Sequence, residues 1–141
     1  MDTLLTGGNL SEITENDSRK RLLLLINGLL EKKAGNMVIL NVREISAFAD
    51  YFVICSGTSD RQVQAIASFI RENMKKYDLF PLGVEGETEG KWVLLDYDDI
   101  IVHVFLESIR TFYDLERLWT EARRLDIPES ATSLGSLPEE M

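Results

Sequence analysis

The spacing of hydrophobic positions changes period several times along the chain. Leu22, Leu25, Ile26, Leu29 and Leu30 recur at helical spacing, which predicts a helix from about Ser18 to Lys33, with Ser18 as its cap and Gly35 as its stop signal. Met37–Val42 is short and rich in β-branched residues and predicts a strand. Asp50–Cys55 is nearly all apolar and predicts a second strand, covered on both faces. Ser56-Gly57-Thr58 then interrupts the pattern, and Ser59 with Gln62 forms a capping box before Val63, Ile66, Ala67, Ile70 and Met74 at helical spacing. Pro81–Val84 and Lys91–Asp96 predict a third and a fourth strand, Tyr97-Asp98-Asp99 a tight turn, and Ile100–Leu106 a fifth strand. A last helix is expected from about Thr111 to Leu125, with Thr111 and Asp114 as a capping box and Phe112, Leu115, Trp119 and Ala122 as its apolar face.

The resulting order, α-β-β-α-β-β-β-α, defines an α/β (α+β) fold: a mixed five-stranded sheet with flanking helices. The central strand-helix-strand passage predicts one parallel crossover, and the short links elsewhere predict antiparallel neighbours. Gly7, Gly8, Asn9, Ser11 and Asn16 mark residues 1–17 as a flexible leader, 18–125 form the folded domain, and 126–141, with Pro128, Gly135 and Pro138, read as a flexible acidic tail.

A chain of 141 residues with 45% hydrophobic residues can bury a core without staples. Its single Cys allows neither an internal disulfide nor a cysteine-based zinc site. The longest apolar run near the N-terminus, Leu22–Ile26, falls far short of the roughly 20 residues that cross a bilayer, and residues 1–18 hold acids and no base. The expectation is a cytoplasmic protein with no membrane association. A formal net charge of −9 disfavours a direct grip on nucleic acid, which needs clustered Lys and Arg, and suits a basic protein as partner.

Several features invite a chemical reading. Ser56-Gly57-Thr58-Ser59 leads from a strand into a helix N-terminus, where free backbone N–H groups can cradle phosphate, although no Walker or GxGxxG pattern accompanies it. Glu85, Glu87, Glu89, Asp96, Asp98 and Asp99 crowd one segment; a set such as Glu85, Glu87 and Asp96 could hold magnesium for nucleotidyl transfer, although a whole helix separates it from the Gly-Ser turn. The same segment also fits a solvated acidic loop or an acidic docking surface. His103, the only His, sits in a strand and reads as a packed residue, and Cys55 reads as a small buried hydrophobe. Trp92 and Tyr97 flank a hairpin, where part of each side chain is expected at the surface.

Four ordered blocks then resemble the ribosomal silencing factor family, also called the Iojap family. They are Asp50-Tyr-Phe-Val-Ile-Cys-Ser-Gly-Thr-Ser-Asp-Arg-Gln-Val63, then Val84-Glu-Gly86 with Lys91-Trp-Val-Leu-Leu-Asp-Tyr97, then Ile101-Val-His-Val-Phe105, and finally Arg110 with Phe112-Tyr-Asp-Leu-Glu-Arg-Leu-Trp119. The resemblance spans about residues 20–120. One departure is Asp98, where the family usually has Gly. The resemblance implies a nucleotidyltransferase-like fold without a working carboxylate set, hence no enzyme, no cofactor and no metal. It implies a partner, the fourteenth protein of the large ribosomal subunit, at the face that the small subunit must meet, and self-pairing off the ribosome. The residues expected to dock are Trp92, Asp96, Tyr97, Asp98, Arg110 and Tyr113, the aromatics as anchors and the charges as steering and pairing groups. The alternative from another class is a magnesium-dependent nucleotidyltransferase using Glu85, Glu87 and Asp96.

Overall fold

Strand alternation builds a sheet with two apolar faces, and the helices are unequal to covering both. The computed structural model describes residues 10–125 and 127, with side chains from 17 onward. Residues 1–9 of the expected leader and nearly all of the expected tail lie outside the described residues. The elements are α1 (Leu10–Glu31), β1 (Gly35–Asn41), β2 (Tyr51–Gly57), α2 (Asp60–Lys75), β3 (Gly83–Glu85), β4 (Trp92–Asp96), β5 (Ile100–Leu106), α3 (Glu107–Tyr113), α4 (Leu115–Leu118) and β6 (Arg123–Leu125). The sheet is six-stranded in the order β3-β4-β5-β2-β1-β6. Only β2 and β5 pair in parallel, so the crossover joins β2 to β5 by way of α2, β3 and β4. The other four pairings are antiparallel.

On the first face, α1 and α2 pack over the central strands. Leu22, Leu25, Ile26 and Leu29 of α1 and Val63, Ala67, Ile70 and Met74 of α2 are fully buried against Tyr51, Val53 and Cys55 of β2 and Ile100, Val102 and Val104 of β5. Close approach of the helices depends on Gly28: a Cβ there would lie 2.9 Å from Ile70 Cδ1. Ser59 caps α2 as its sequence suggests, its Oγ accepting from the Gln62 N–H at 3.1 Å. The Gln62 side chain completes the turn by accepting from the Thr58 N–H at 2.6 Å.

Three expectations are corrected. Ser18 does not cap α1, which starts at Leu10; it lies mid-helix, wholly buried, one turn before Leu22. Its hydroxyl lies within hydrogen-bond reach of the carboxylates of both Asp50 and Asp99, which share its single proton, and Arg21, one turn along, pairs with Asp99. A buried polar group at a core position is tolerable only with such partners. The expected final helix is instead broken into α3, α4 and a sixth strand. Asp114 takes the left-handed conformation (φ 48°, ψ 53°), which no helix interior can accommodate, and β6 then pairs with β1. Ser56 and Gly57 continue β2 rather than ending it.

The turn between β4 and β5 keeps its form despite Asp98. That residue has φ 76°, and its N–H donates to Asp96 Oδ1 at 2.9 Å, an Asx-type turn that offsets part of the backbone strain.

The Ser18–Asp50–Asp99–Arg21 network ties α1 to both loops at this end of the sheet. Asp99→Ala would leave the buried Ser18 hydroxyl with one acceptor and Arg21 without its carboxylate. The expected loss is on the order of 2–3 kcal/mol, read as a lowered midpoint with unchanged slope in urea unfolding.

Candidate functional site: an aromatic sheet face

The second face of the sheet carries alternate residues of the same strands: Trp92 and Leu94 of β4, Ile101, His103 and Phe105 of β5, Phe52 and Ile54 of β2, and Val38 and Leu40 of β1. Its cover is thin. Ile109 of α3, Leu115 of α4, Trp119 and Ala122 pack on it, and all are only partly buried. A run of ring contacts crosses the face. Trp119 meets Phe52 edge-on at 4.9 Å, Phe52 meets His103 at 5.4 Å, and Trp92 stacks on Phe105 at 4.7 Å and tilts against Tyr113 at 5.1 Å. Phe112 extends the run outward from Tyr113, and the two are 78% and 52% exposed.

His103 fixes the Trp92 ring. The indole N–H donates to His103 Nδ1 at 3.1 Å, which leaves the imidazole proton on Nε2. Burial pushes the His103 pKa down to about 4, so the ring is neutral and acts as an acceptor. Cys55 lies under the first face, and burial pushes its thiol up to about 12, consistent with a packed hydrophobe.

Arg110 fastens the cover. Its guanidinium makes a two-point contact with Glu116, at 2.8 Å and 3.2 Å, and donates to Ser56 Oγ at 2.7 Å. Hydrogen bonding from Arg110 holds the Glu116 carboxyl below its ordinary pKa, against the opposing effect of burial. With only 11% of its side chain exposed, Arg110 holds α3 to α4 and to the end of β2.

The six residues singled out in the sequence are thus distributed unevenly. Trp92 and Tyr113 touch, Asp96 lies on the same face of β4, and Asp98 is exposed at the hairpin tip. Arg110 is nearby but internally engaged. Tyr97 is displaced from the group: it is 5% exposed and packs with Val93 and Leu95 under the helix-covered face. The expectation of a partly exposed Tyr97 fails because it follows Asp96 by one residue and therefore points through the sheet. Burial raises its phenol to about 12. Sequence reasoning overlooked Phe52, Leu94, Ile101 and Phe105 as members of this face. Their common parity across β2, β4 and β5 was the available signal, but parity fixes a face only when the register is known.

Nucleotidyltransferase geometry is absent from the described residues. Val84 packs on the helix side, so Glu85 of β3 takes the opposite face along with Asp96, while Glu87 pairs with Arg71 of α2 at 2.6 Å. The three carboxylates therefore do not converge, and among the described residues no group of three or more acidic, His or Cys side chains could hold a metal. The Ser56–Ser59 turn spends its polar groups internally, on Arg110 and Gln62.

Comparison with known proteins supplies the family. The family model described as "Ribosomal silencing factor during starvation" matches residues 15–139. The chain belongs to the ribosomal silencing factor family. A ribosomal silencing factor of Halalkalibacterium halodurans is 38% identical over 78% of this chain and 94% of its own length. One from Bacillus subtilis is 42% identical over 69% of this chain and 82% of its own. A crystal structure of a Bacillus halodurans protein superposes with a TM-score of 0.69 at 37% identity, covering 77% of this chain and 98% of that one. Membership accords with the mixed α/β architecture. No helix among the described residues of this family member is long and apolar enough to cross a membrane.

The buried neutral His103 makes stability pH-dependent. Its folded pKa lies below the ordinary value of about 6.5, so its contribution is whole above pH 6.5 and is lost as the pH falls toward 4, where the unfolded chain takes up a proton that the folded one refuses. In urea unfolding, the stability advantage of the wild type over His103→Leu should shrink by on the order of 2 kcal/mol between pH 7 and pH 4.5. An unchanged difference would show that the imidazole is solvated.

Proposed function

We propose that this chain silences ribosomes in the cytoplasm by occupying the large subunit: its aromatic sheet face docks on a basic ribosomal protein, and its bulk excludes the small subunit. The partner that the sequence resemblance implies is the fourteenth protein of the large subunit. Docking of this kind requires no catalysis, cofactor or metal, because occupancy alone inhibits.

The observation that carries the reading is the state of Trp92. Its ring is held between Phe105 and Tyr113 and hydrogen-bonded to a neutral His103, yet it stays partly exposed. Such a preorganised aromatic at the edge of an apolar face loses little entropy on binding, which is the character of an interface anchor. Phe52, Leu94 and Ile101, also partly exposed, continue the apolar area, and Asp96 and Asp98 border it with negative charge. The carboxylates would steer a cationic partner and pair with its Lys or Arg at the rim. Tyr113 adds contact area. Arg110 acts as a positioning residue by holding α3 where Tyr113 meets Trp92, and Tyr97 contributes only to the core. The same exposed apolar face could pair with a second copy when no ribosome is present.

Names among the relatives support the ribosomal setting. The bacterial proteins are called ribosomal silencing factors, and a mouse relative, 29% identical over 83% of this chain, is named mitochondrial assembly of ribosomal large subunit protein 1.

Sedimentation of separated subunits with saturating protein should leave them unjoined. Equal joining with and without the protein refutes exclusion. Trp92→Ala should weaken binding to the large subunit about thirtyfold, equivalent to roughly 2 kcal/mol, with circular dichroism unchanged. Wild-type affinity in a folded Trp92→Ala variant would remove this face from the interface.

A further inference from the structure

The net charge of −9 conceals a division between the two sides of the molecule. Residues 10–34 and 60–80, which form the helix layer and the turns after its helices, hold nine basic residues against seven acidic ones. Residues 81–125, which form the hairpins, β5 and the cover of the second face, hold five basic against ten acidic. The helices place this positive excess on the side away from the aromatic face.

Within the helix layer, the charge gathers at two exposed lysine pairs, Lys32-Lys33 after α1 and Lys75-Lys76 at the end of α2. Gly28 lies against Ile70 and Asn73, while the Lys32 ammonium sits 5.3 Å from the Phe69 ring. The two helices therefore run in opposite directions, and Lys76 follows the Lys32 contact at Phe69 by seven residues, about 10 Å along α2. Favourable interaction with the helix dipoles accounts for a basic residue at each helix end. It does not account for the two aromatic side chains exposed directly beyond the second pair, Tyr77 at 54% and Phe80 at 58%. Lysines beside exposed aromatic rings are the elements of RNA contact: ammonium groups neutralise phosphates, and rings stack on unpaired bases.

We infer that the helix layer is a second, sequence-independent contact surface for RNA phosphate, centred on Lys32, Lys33, Lys75 and Lys76 and flanked by Tyr77 and Phe80. Its placement on the ribosome rests on the docking reading above; RNA binding by the surface does not. On the large subunit, the acidic aromatic face would hold the ribosomal protein while the helix layer meets nearby ribosomal RNA. Opposite charges on opposite sides would also orient the molecule before contact.

The test uses the full chain and protein-free large-subunit RNA, with filter binding across a salt series. Wild-type binding should weaken steeply with salt. The variant Lys32→Gln/Lys33→Gln/Lys75→Gln/Lys76→Gln should bind about tenfold or more weakly at low salt, with the log–log slope reduced by about 3. Tyr77→Ala with Phe80→Ala should weaken binding without changing that slope, since stacking releases no counterions. Trp92→Ala should bind this RNA as the wild type does. All the RNA variants alter exposed side chains, so circular dichroism should confirm their fold. No wild-type binding at low salt, or equal binding by the four-lysine variant, overturns the inference. Lysine-dependent binding to phosphatidylglycerol vesicles that exceeds binding to the RNA would overturn it in favour of a membrane surface. Lysine-dependent RNA binding alongside failure to dock on the isolated ribosomal protein would sustain this inference while the docking reading falls.

Discussion

β2 and β5 lie side by side at the middle of the sheet and are apolar on both faces, so the fold must find cover for two sides at once. α1 and α2 satisfy one side with a continuous layer in which whole side chains disappear from solvent. Among the described residues, the chain after β5 lays only α3, α4 and the Trp119–Ala122 segment over the other. That shortage is the constraint from which the aromatic surface follows. Rings of Trp92, Phe105, Tyr113, Phe52 and Trp119 shield one another where α3 and α4 leave the face partly open. A face protected in this way is stable in the monomer and still has area to offer a partner.

Polar groups at the second face serve packing more than chemistry. His103 gives up its charge to burial and accepts the Trp92 N–H, which makes the only His in the chain an orienting device. Arg110 spends its donors on Glu116 and Ser56, closing the short cover over the end of β2. The acidic segment, suggestive of magnesium when read alone, is dispersed, because Val84 packs toward the helices and leaves Glu85 on the opposite face while Glu87 pairs with Arg71, and the Gly-Ser turn spends its polar groups on Arg110 and Gln62.

Charge tells a related story. A whole-chain count argues against nucleic acid, because it averages over surfaces that never act together. The fold separates the lysines of the helix layer from the carboxylates of the hairpins, and electrostatic interaction in salt acts over about 8–10 Å, a distance shorter than the protein is wide. Local surface, rather than net charge, is what a partner meets.

The order of the main elements was legible without a structure. The helical spacing of Val63, Ile66, Ala67, Ile70 and Met74 and the apolar run Ile100–Leu106 are local periodicities, and local periodicity survives folding unchanged. The left-handed turn at Asp98 was likewise readable from residue type. Tertiary structure alone decided the rest. Ser18 looks like a cap until Asp50 and Asp99, distant in sequence, arrive as its partners. The last helix looks continuous until Asp114 turns left-handed and β6 finds β1. Tyr97 looks like a hairpin anchor until the register sends it through the sheet, and Phe52 joins the aromatic face only because β5 lies beside β2. Period and turn chemistry are properties of neighbouring residues, whereas facing, pairing and exposure depend on which distant strand supplies the other half of each contact.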